Sequence, residues 1–187
     1  MIHLVLGGAR SGKSRFSEQW IINQFADASR YYLATAQAYD DEMIERIEKH
    51  QQDRLSQHWQ LCESPIHIDH VLQKLPDNSV VLIDCLTLWL TNILMSVESK
   101  ENTRQKKTQL LSQAIEQLIL ALSAHQSRLT MVAVANEVGL GVVPMGEQSR
   151  LFVDHAGWLN QKVAKIADQV TLVTAGIPLT LKGAVSG

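Results

Sequence analysis

Ile2-His3-Leu4-Val5-Leu6-Gly7-Gly8-Ala9-Arg10-Ser11-Gly12-Lys13-Ser14 opens this chain: an apolar run, then a glycine-rich octet ending in Lys-Ser. Glycines at these offsets let successive backbone N–H groups turn inward around phosphate oxygens. The lysine reaches the β- and γ-phosphates, and the hydroxyl after it ligates Mg²⁺. With glycine at about 7% of average composition, chance placement of these four residues in a chain this long is on the order of one in a hundred or less. Arg15-Phe16-Ser17-Glu18-Gln19-Trp20-Ile21-Ile22 follows as a helix whose N-terminal dipole favours phosphate. Strand, loop and helix together predict a nucleoside triphosphate site built from Gly7, Gly8, Ala9, Arg10, Ser11, Gly12, Lys13 and Ser14.

Gly7-x-Ala9-x-x-Gly12 also lies one residue from a dinucleotide-binding fingerprint. Such a site wants a carboxylate at the end of the second strand for the ribose hydroxyls. The second strand here runs from Arg30 to Ala34 and continues into Thr35-Ala36-Gln37, without an acid. Lys13 and Ser14 have no work to do in a dinucleotide turn, so that reading is rejected.

Beyond the loop, helical periodicity alternates with short β-rich runs, the pattern of parallel strands joined by crossover helices. The predicted class is a single-domain α/β fold over residues 1–187, with a mostly parallel sheet of the P-loop NTPase kind. Strands are expected at Ile2–Leu6, Arg30–Ala34, Ser79–Ile83, Leu129–Ala135 and Gln169–Thr174, with an antiparallel edge strand at Leu179–Lys182 and a weaker candidate at Trp59–Cys62. Helices are expected at Lys13–Gln24, Asp40–Arg54, His67–Lys74, Leu86–Met95, Thr103–Gln126 and Ser149–Asp168. In the longest, Leu110, Leu111, Ala114, Leu118 and Leu122 form a core stripe. Gly157 inside a helix costs about 1 kcal/mol against alanine, and close packing is the expected compensation.

Composition narrows the partners. A net charge of −2, with 17 basic residues spread along the chain and only three Phe and three Tyr to stack on bases, argues against nucleic acid. Cys62 and Cys85 lie in apolar contexts without metal-ligand spacing, so small buried thiols in a reducing cytoplasm are expected. The N-terminus enters the first strand at once and no apolar run approaches ~20 residues. A soluble protein, without signal peptide or membrane insertion, is the expectation.

Ligands of open α/β sheets gather at the carboxyl ends of strands. Asp84 ends the apolar run Ser79-Val80-Val81-Leu82-Ile83, where an acid sits beside the Mg²⁺ of a P-loop; the competing reading is a helix cap. On the predicted helix Asp40–Arg54, residues Arg46, His50 and Arg54 fall at i, i+4 and i+8, lining one face with two guanidiniums around an imidazole. That grouping suits phosphate binding and a neutral, nucleophilic imidazole. Pattern alone leaves it open against an ordinary surface histidine. The loop Asn136-Glu137-Val138-Gly139-Leu140-Gly141-Val142-Val143-Pro144 leaves a strand at its carboxyl end and reads as a site element.

Four segments in this order resemble the adenosylcobinamide kinase/adenosylcobinamide-phosphate guanylyltransferase family of cobalamin biosynthesis. They are Gly7–Ser14 with Arg15; Asp41-Glu42-Met43 through Arg46-Ile47 to His50; Asn136-Glu137-Val138-Gly139 with Gly141 and Pro144; and Ala156-Gly157 with Asn160-Gln161 and Ala167-Asp168. The resemblance implies phosphorylation of a corrinoid hydroxyl by ATP or GTP, then GMP transfer from GTP through a guanylyl-histidine with release of pyrophosphate. It makes His50 the nucleophile and Lys13 a catalytic residue. Leu33, Ala34 and Thr35 become a nucleotide-contacting strand end, and Gln51, Gln52, Asp53, Arg54, Glu63 and Asp84 further GTP contacts. Mg²⁺, held by Ser14 and Asp84, is the implied cofactor, and a homotrimer the implied assembly. Where relatives can carry two adjacent histidines, this chain has Lys49-His50, and where many have Arg-Pro it has Arg54-Leu55. A monofunctional P-loop small-molecule kinase would use every feature except His50, and a nucleotide-dependent switch would need only the P-loop and mobile loops.

Overall fold

The computed structural model describes residues 1–37, 58–98, 102–142 and 144–183. The expected helix Asp40–Arg54, with Arg46, His50, Gln51, Gln52, Asp53 and Arg54, lies outside the described residues.

Within them the chain runs β1 (Ile2–Gly7), α1 (Lys13–Gln24), β2 (Arg30–Ala34), β3 (Trp59–Glu63), α2 (Ile68–Lys74), β4 (Val80–Asp84), α3 (Leu86–Val97), α4 (Arg104–His125), β5 (Thr130–Asn136), α5 (Glu147–Ile166), β6 (Gln169–Thr174) and β7 (Ile177–Lys182). One seven-stranded sheet has the order β3-β2-β4-β5-β1-β6-β7. All neighbours pair parallel except β6 and β7, which pair antiparallel. The expected class holds, including the antiparallel edge, and the weaker candidate at Trp59 is a parallel edge strand.

Every residue of β1 is buried, as expected where both faces of a parallel sheet are covered. Side chains alternate across the sheet. Ile2, Leu4 and Leu6 join the large core under α2, α3, α4 and α5. Val5 joins a smaller core with Val80, Leu82, Val132, Val134, Tyr32 and Ile21 of α1.

Several boundaries differ from expectation. In α4 the buried row is Leu111, Ile115, Leu118 and Leu122, with Leu110 and Ala114 half-buried beside it. Helix α5 stops at Ile166 because Asp168 is used elsewhere: its N–H donates to Ile2 O (2.8 Å) and its Oδ2 accepts from Ile2 N (2.7 Å). Close packing among the described residues does not account for Gly157, since beyond its chain neighbours and the adjacent backbone of its own helix nothing lies within 4 Å of where its Cβ would stand. No described helix is long and apolar enough to cross a membrane.

Candidate functional site

The sheet order places β1 between β5 and β6, with β4 one strand beyond β5. The carboxyl ends of β1, β5 and β4 therefore share one edge, the usual place for a ligand in such a sheet. Gly7 pairs in register with Asn136 on one side and Val173 on the other. A Cβ on Gly7 would collide with Ser11 Oγ and stand 2.5 Å from Val173 O, so only glycine fits. Gly12 has φ +94, the left-handed region that favours glycine, and its Cβ position lies 3.3 Å from Gly176 Cα.

That second glycine belongs to the hairpin joining β6 to β7. Its two-residue turn, Ala175-Gly176, has φ of 51 and 79, the form whose twist matches a β-ribbon. The Gly176 N–H donates to Ser11 O at 2.9 Å, so the hairpin braces the loop from outside.

At the start of α1 the largely buried Lys13 sends its ammonium back to Gly8 O at 3.0 Å, and Ser17 Oγ donates to Lys13 O at 2.9 Å. Among the described residues, Ser11 Oγ is a buried hydroxyl without a hydrogen-bond partner. Since a buried polar group of this kind costs about 1–3 kcal/mol unsatisfied, its place in the glycine-rich loop fits an incoming phosphate oxygen.

Asp84 ends β4 and is half-exposed. The competing reading as a helix cap fails: Cys85 occupies the N-cap of α3 and its Sγ accepts from Leu88 N at 3.4 Å. Oδ2 of Asp84 accepts from the Tyr32 hydroxyl at 2.8 Å. The Cys85 thiol is pushed up to about 11 by burial and then by the Asp84 charge, with the Lys13 charge pulling the other way. A thiol so raised stays protonated and is no nucleophile. Cys62 is likewise a free, half-buried thiol, and burial raises it too.

Thr35, fully buried, holds the chain beyond Asp84: its hydroxyl accepts from Cys85 N (2.8 Å) and donates to Cys85 O (2.7 Å). The Asp84–Cys85 peptide is cis. The Thr35 N–H donates to Asp84 O (3.2 Å), and Asn92 Nδ2 donates to Thr35 O (2.8 Å) and Pro65 O (3.0 Å). Leu33 is fully buried, Ala34 half-buried, and Glu63 exposed opposite Ala34 in register.

The Asn136–Glu137 segment is tied down from three sides. Glu137 N donates to Gly7 O (3.1 Å), Asn136 N to Thr87 Oγ1 (2.6 Å), and Asn160 Nδ2 to Asn136 O (3.2 Å). The Glu137 carboxylate turns back to accept from Gly139 N at 2.9 Å.

The structure thus gathers Gly7–Ser14, Asp84 and Asn136–Glu137 at neighbouring strand ends, with Thr35 beneath. Reading the sequence missed Tyr32, Thr87 and Asn92. Asn92 carried a signal, as a polar residue amid Leu86, Trp89, Leu90, Ile93 and Leu94 on a buried helix face. The other two depend on strand order.

Residues 3–181 match the family model described as CobU, cobinamide kinase / cobinamide phosphate guanyltransferase. The chain is 42% identical over 184 residues to the bifunctional adenosylcobalamin biosynthesis protein CobP of Pseudomonas aeruginosa, covering 98% of each. It is 41% identical over 186 residues to the bifunctional adenosylcobalamin biosynthesis protein CobU of Escherichia coli, covering 97% of this chain and 100% of that one. Among solved structures it is similar in fold to an ATPase domain, with a TM-score of 0.50 at 15% identity over 91% of this chain and 68% of that one.

Proposed function

The chain belongs to the cobinamide kinase / cobinamide phosphate guanyltransferase family, and from that premise we propose that a single domain, residues 1–187, carries two successive reactions. The first phosphorylates the corrinoid alcohol adenosylcobinamide with ATP or GTP. The second moves GMP from GTP onto that phosphate, yielding adenosylcobinamide-GDP and pyrophosphate. The observation that carries the reading is a glycine loop that admits no side chain at Gly7 and folds its Lys13 ammonium back on Gly8 O, at the sheet edge where β4 ends in Asp84.

In the first reaction Gly7–Ser14 cradle the triphosphate through backbone N–H groups, and Lys13 leaves Gly8 O to follow the transferring γ-phosphoryl. Positioning and charge neutralisation supply most of such catalysis. Ser14 and Asp84 offer hard oxygen donors that suit Mg²⁺, which when bound neutralises charge developing on the phosphate oxygens. Leu33–Thr35, Gln51–Arg54 and Glu63 complete the nucleotide contacts in this proposal.

In the second reaction His50 attacks the α-phosphorus of GTP. A P–N bond forms as the bond to pyrophosphate breaks, and the corrinoid phosphate oxygen then displaces the histidine. Arg46 and Arg54, four residues to either side in sequence, hold phosphates near it. A homotrimer in the cytoplasm completes the reading. Family resemblance supports the trimer, and β7 adds an apolar edge in which Ile177, Leu179 and Leu181 are each more than half exposed.

The test is a product assay with adenosylcobinamide, Mg²⁺ and GTP. Two products are expected in succession: the phosphate, with one GDP released, and then the GDP-linked corrinoid, with one pyrophosphate released. Formation of the phosphate alone would make the protein a simple kinase. Nucleotide binding with neither product would make it a switch.

A further inference from the structure

Tyr32 and Asp84 lie 52 residues apart and meet only because β2 and β4 are neighbours. Ala34 is opposite Asp84 in register and Tyr32 opposite Leu82, so the phenol reaches one rung diagonally toward the carboxyl end. Tyr32 and Leu82 belong to the core beside α1. Alternation puts Asp84, two residues beyond Leu82, on that same face of the sheet, where Lys13 and Ser14 begin α1. The Tyr32 ring is buried and packs edge-on against Trp59 at 6.3 Å, so the hydroxyl has little freedom.

The carboxylate is therefore fixed twice. The Thr35 hydroxyl grips the backbone directly after it, bonding both N and O of Cys85, while Asn92 holds Thr35 O. Tyr32 then sets the rotation of the carboxylate plane through Oδ2. A buried phenol needs an acceptor. Here the acceptor is the carboxylate that ends β4, which the proposed function puts beside the metal.

We propose that Tyr32 is a positioning residue of the phosphoryl-transfer site, orienting the Asp84 carboxylate toward the Mg²⁺ of the bound nucleotide. The proposal rests on the reading of Asp84 as a metal-side residue. A carboxylate whose oxygen accepts from a fixed phenol loses rotation, so less order remains to be imposed when metal-nucleotide binds. Partners of this sort typically change metal affinity 10–100-fold when removed.

Tyr32→Phe keeps the ring against Trp59 and removes only the hydroxyl. Asp84→Asn keeps the shape and an acceptor oxygen. Each variant and the double variant are titrated with Mn²⁺ in the presence of a non-hydrolysable GTP analogue, following free Mn²⁺ by its EPR signal, with melting temperature measured alongside. Tyr32→Phe is expected to weaken Mn²⁺ binding about tenfold or more without changing metal-free nucleotide affinity. In the Asp84→Asn background the same substitution should change Mn²⁺ binding less than about twofold, as coupled residues do. If Asp84→Asn weakens Mn²⁺ binding while Tyr32→Phe does not, Tyr32 is a packing residue and the inference is overturned. If Asp84→Asn leaves Mn²⁺ binding intact, the metal-side reading falls and takes the inference with it.

Discussion

Gly12 and His3 show how single residues tie this fold to its chemistry. A methyl group at Gly12 meets both a φ of +94 and the Gly176 backbone 3.3 Å away. Gly12→Ala should cost about 1–3 kcal/mol, lowering the melting temperature by several degrees and weakening GTP binding; an unchanged melting temperature and GTP affinity would contradict the loop geometry. His3 is buried on β1, edge-on to Trp20 at 4.6 Å, with Nε2 2.9 Å from Thr171 Oγ1. Burial lowers its pKa from 6.5 to about 4. Because the unfolded chain binds the proton more tightly, stability should be full above about pH 6.5. It should then fall as the pH drops toward 4, by up to about 3 kcal/mol from this group. Denaturant unfolding at pH 5 and pH 7 should show a smaller difference for His3→Leu than for the parent chain. An equal difference would remove His3 as the cause. The need for glycine at Gly7 and Gly12 was legible because the motif's spacing reflects a backbone that turns inward with no room for a side chain. His3 as a core group was not, since a histidine in an apolar run says nothing about what will cover it.

At the scale of elements, apolar periodicity located each described strand and helix, and errors fell where backbone pairing outlasts the side-chain pattern. β4 includes Asp84 because its ladder with Ala34 continues, and β5 includes Asn136 because Gly7 lies opposite. β7 starts two residues earlier than expected, at Ile177-Pro178, since proline is tolerated on an edge strand. Cys85 was not recognisable as an N-cap, because sulfur is a weak acceptor rarely used there. The Ala175-Gly176 turn escaped notice because alanine is a poor residue for positive φ. Replacing it should therefore help: Ala175→Asn is expected to stabilise the hairpin by up to about 1 kcal/mol, raising the melting temperature by about 2–4 °C. A lowered melting temperature would show that the turn does not constrain the loop as described.

Across the whole molecule, the class and the parallel sheet were readable from the alternation of periods, while the order β3-β2-β4-β5-β1-β6-β7 was not. That order sets Tyr32 beside Asp84, Thr35 beside Cys85 and Glu137 beside Gly7, contacts between residues far apart in sequence. Half of the site was thus a local motif and half a product of topology. In the proposed function one P-loop domain transfers first a phosphoryl group and then a guanylyl group, and His50 separates the second from ordinary kinase chemistry. Trapping with labelled GTP tests this most directly. Label from the α-phosphate should remain on the denatured protein as an acid-labile adduct and disappear in His50→Ala, while label from the γ-phosphate should not remain. Retention of no α-label by the parent chain, or its full retention by His50→Ala, would contradict the account.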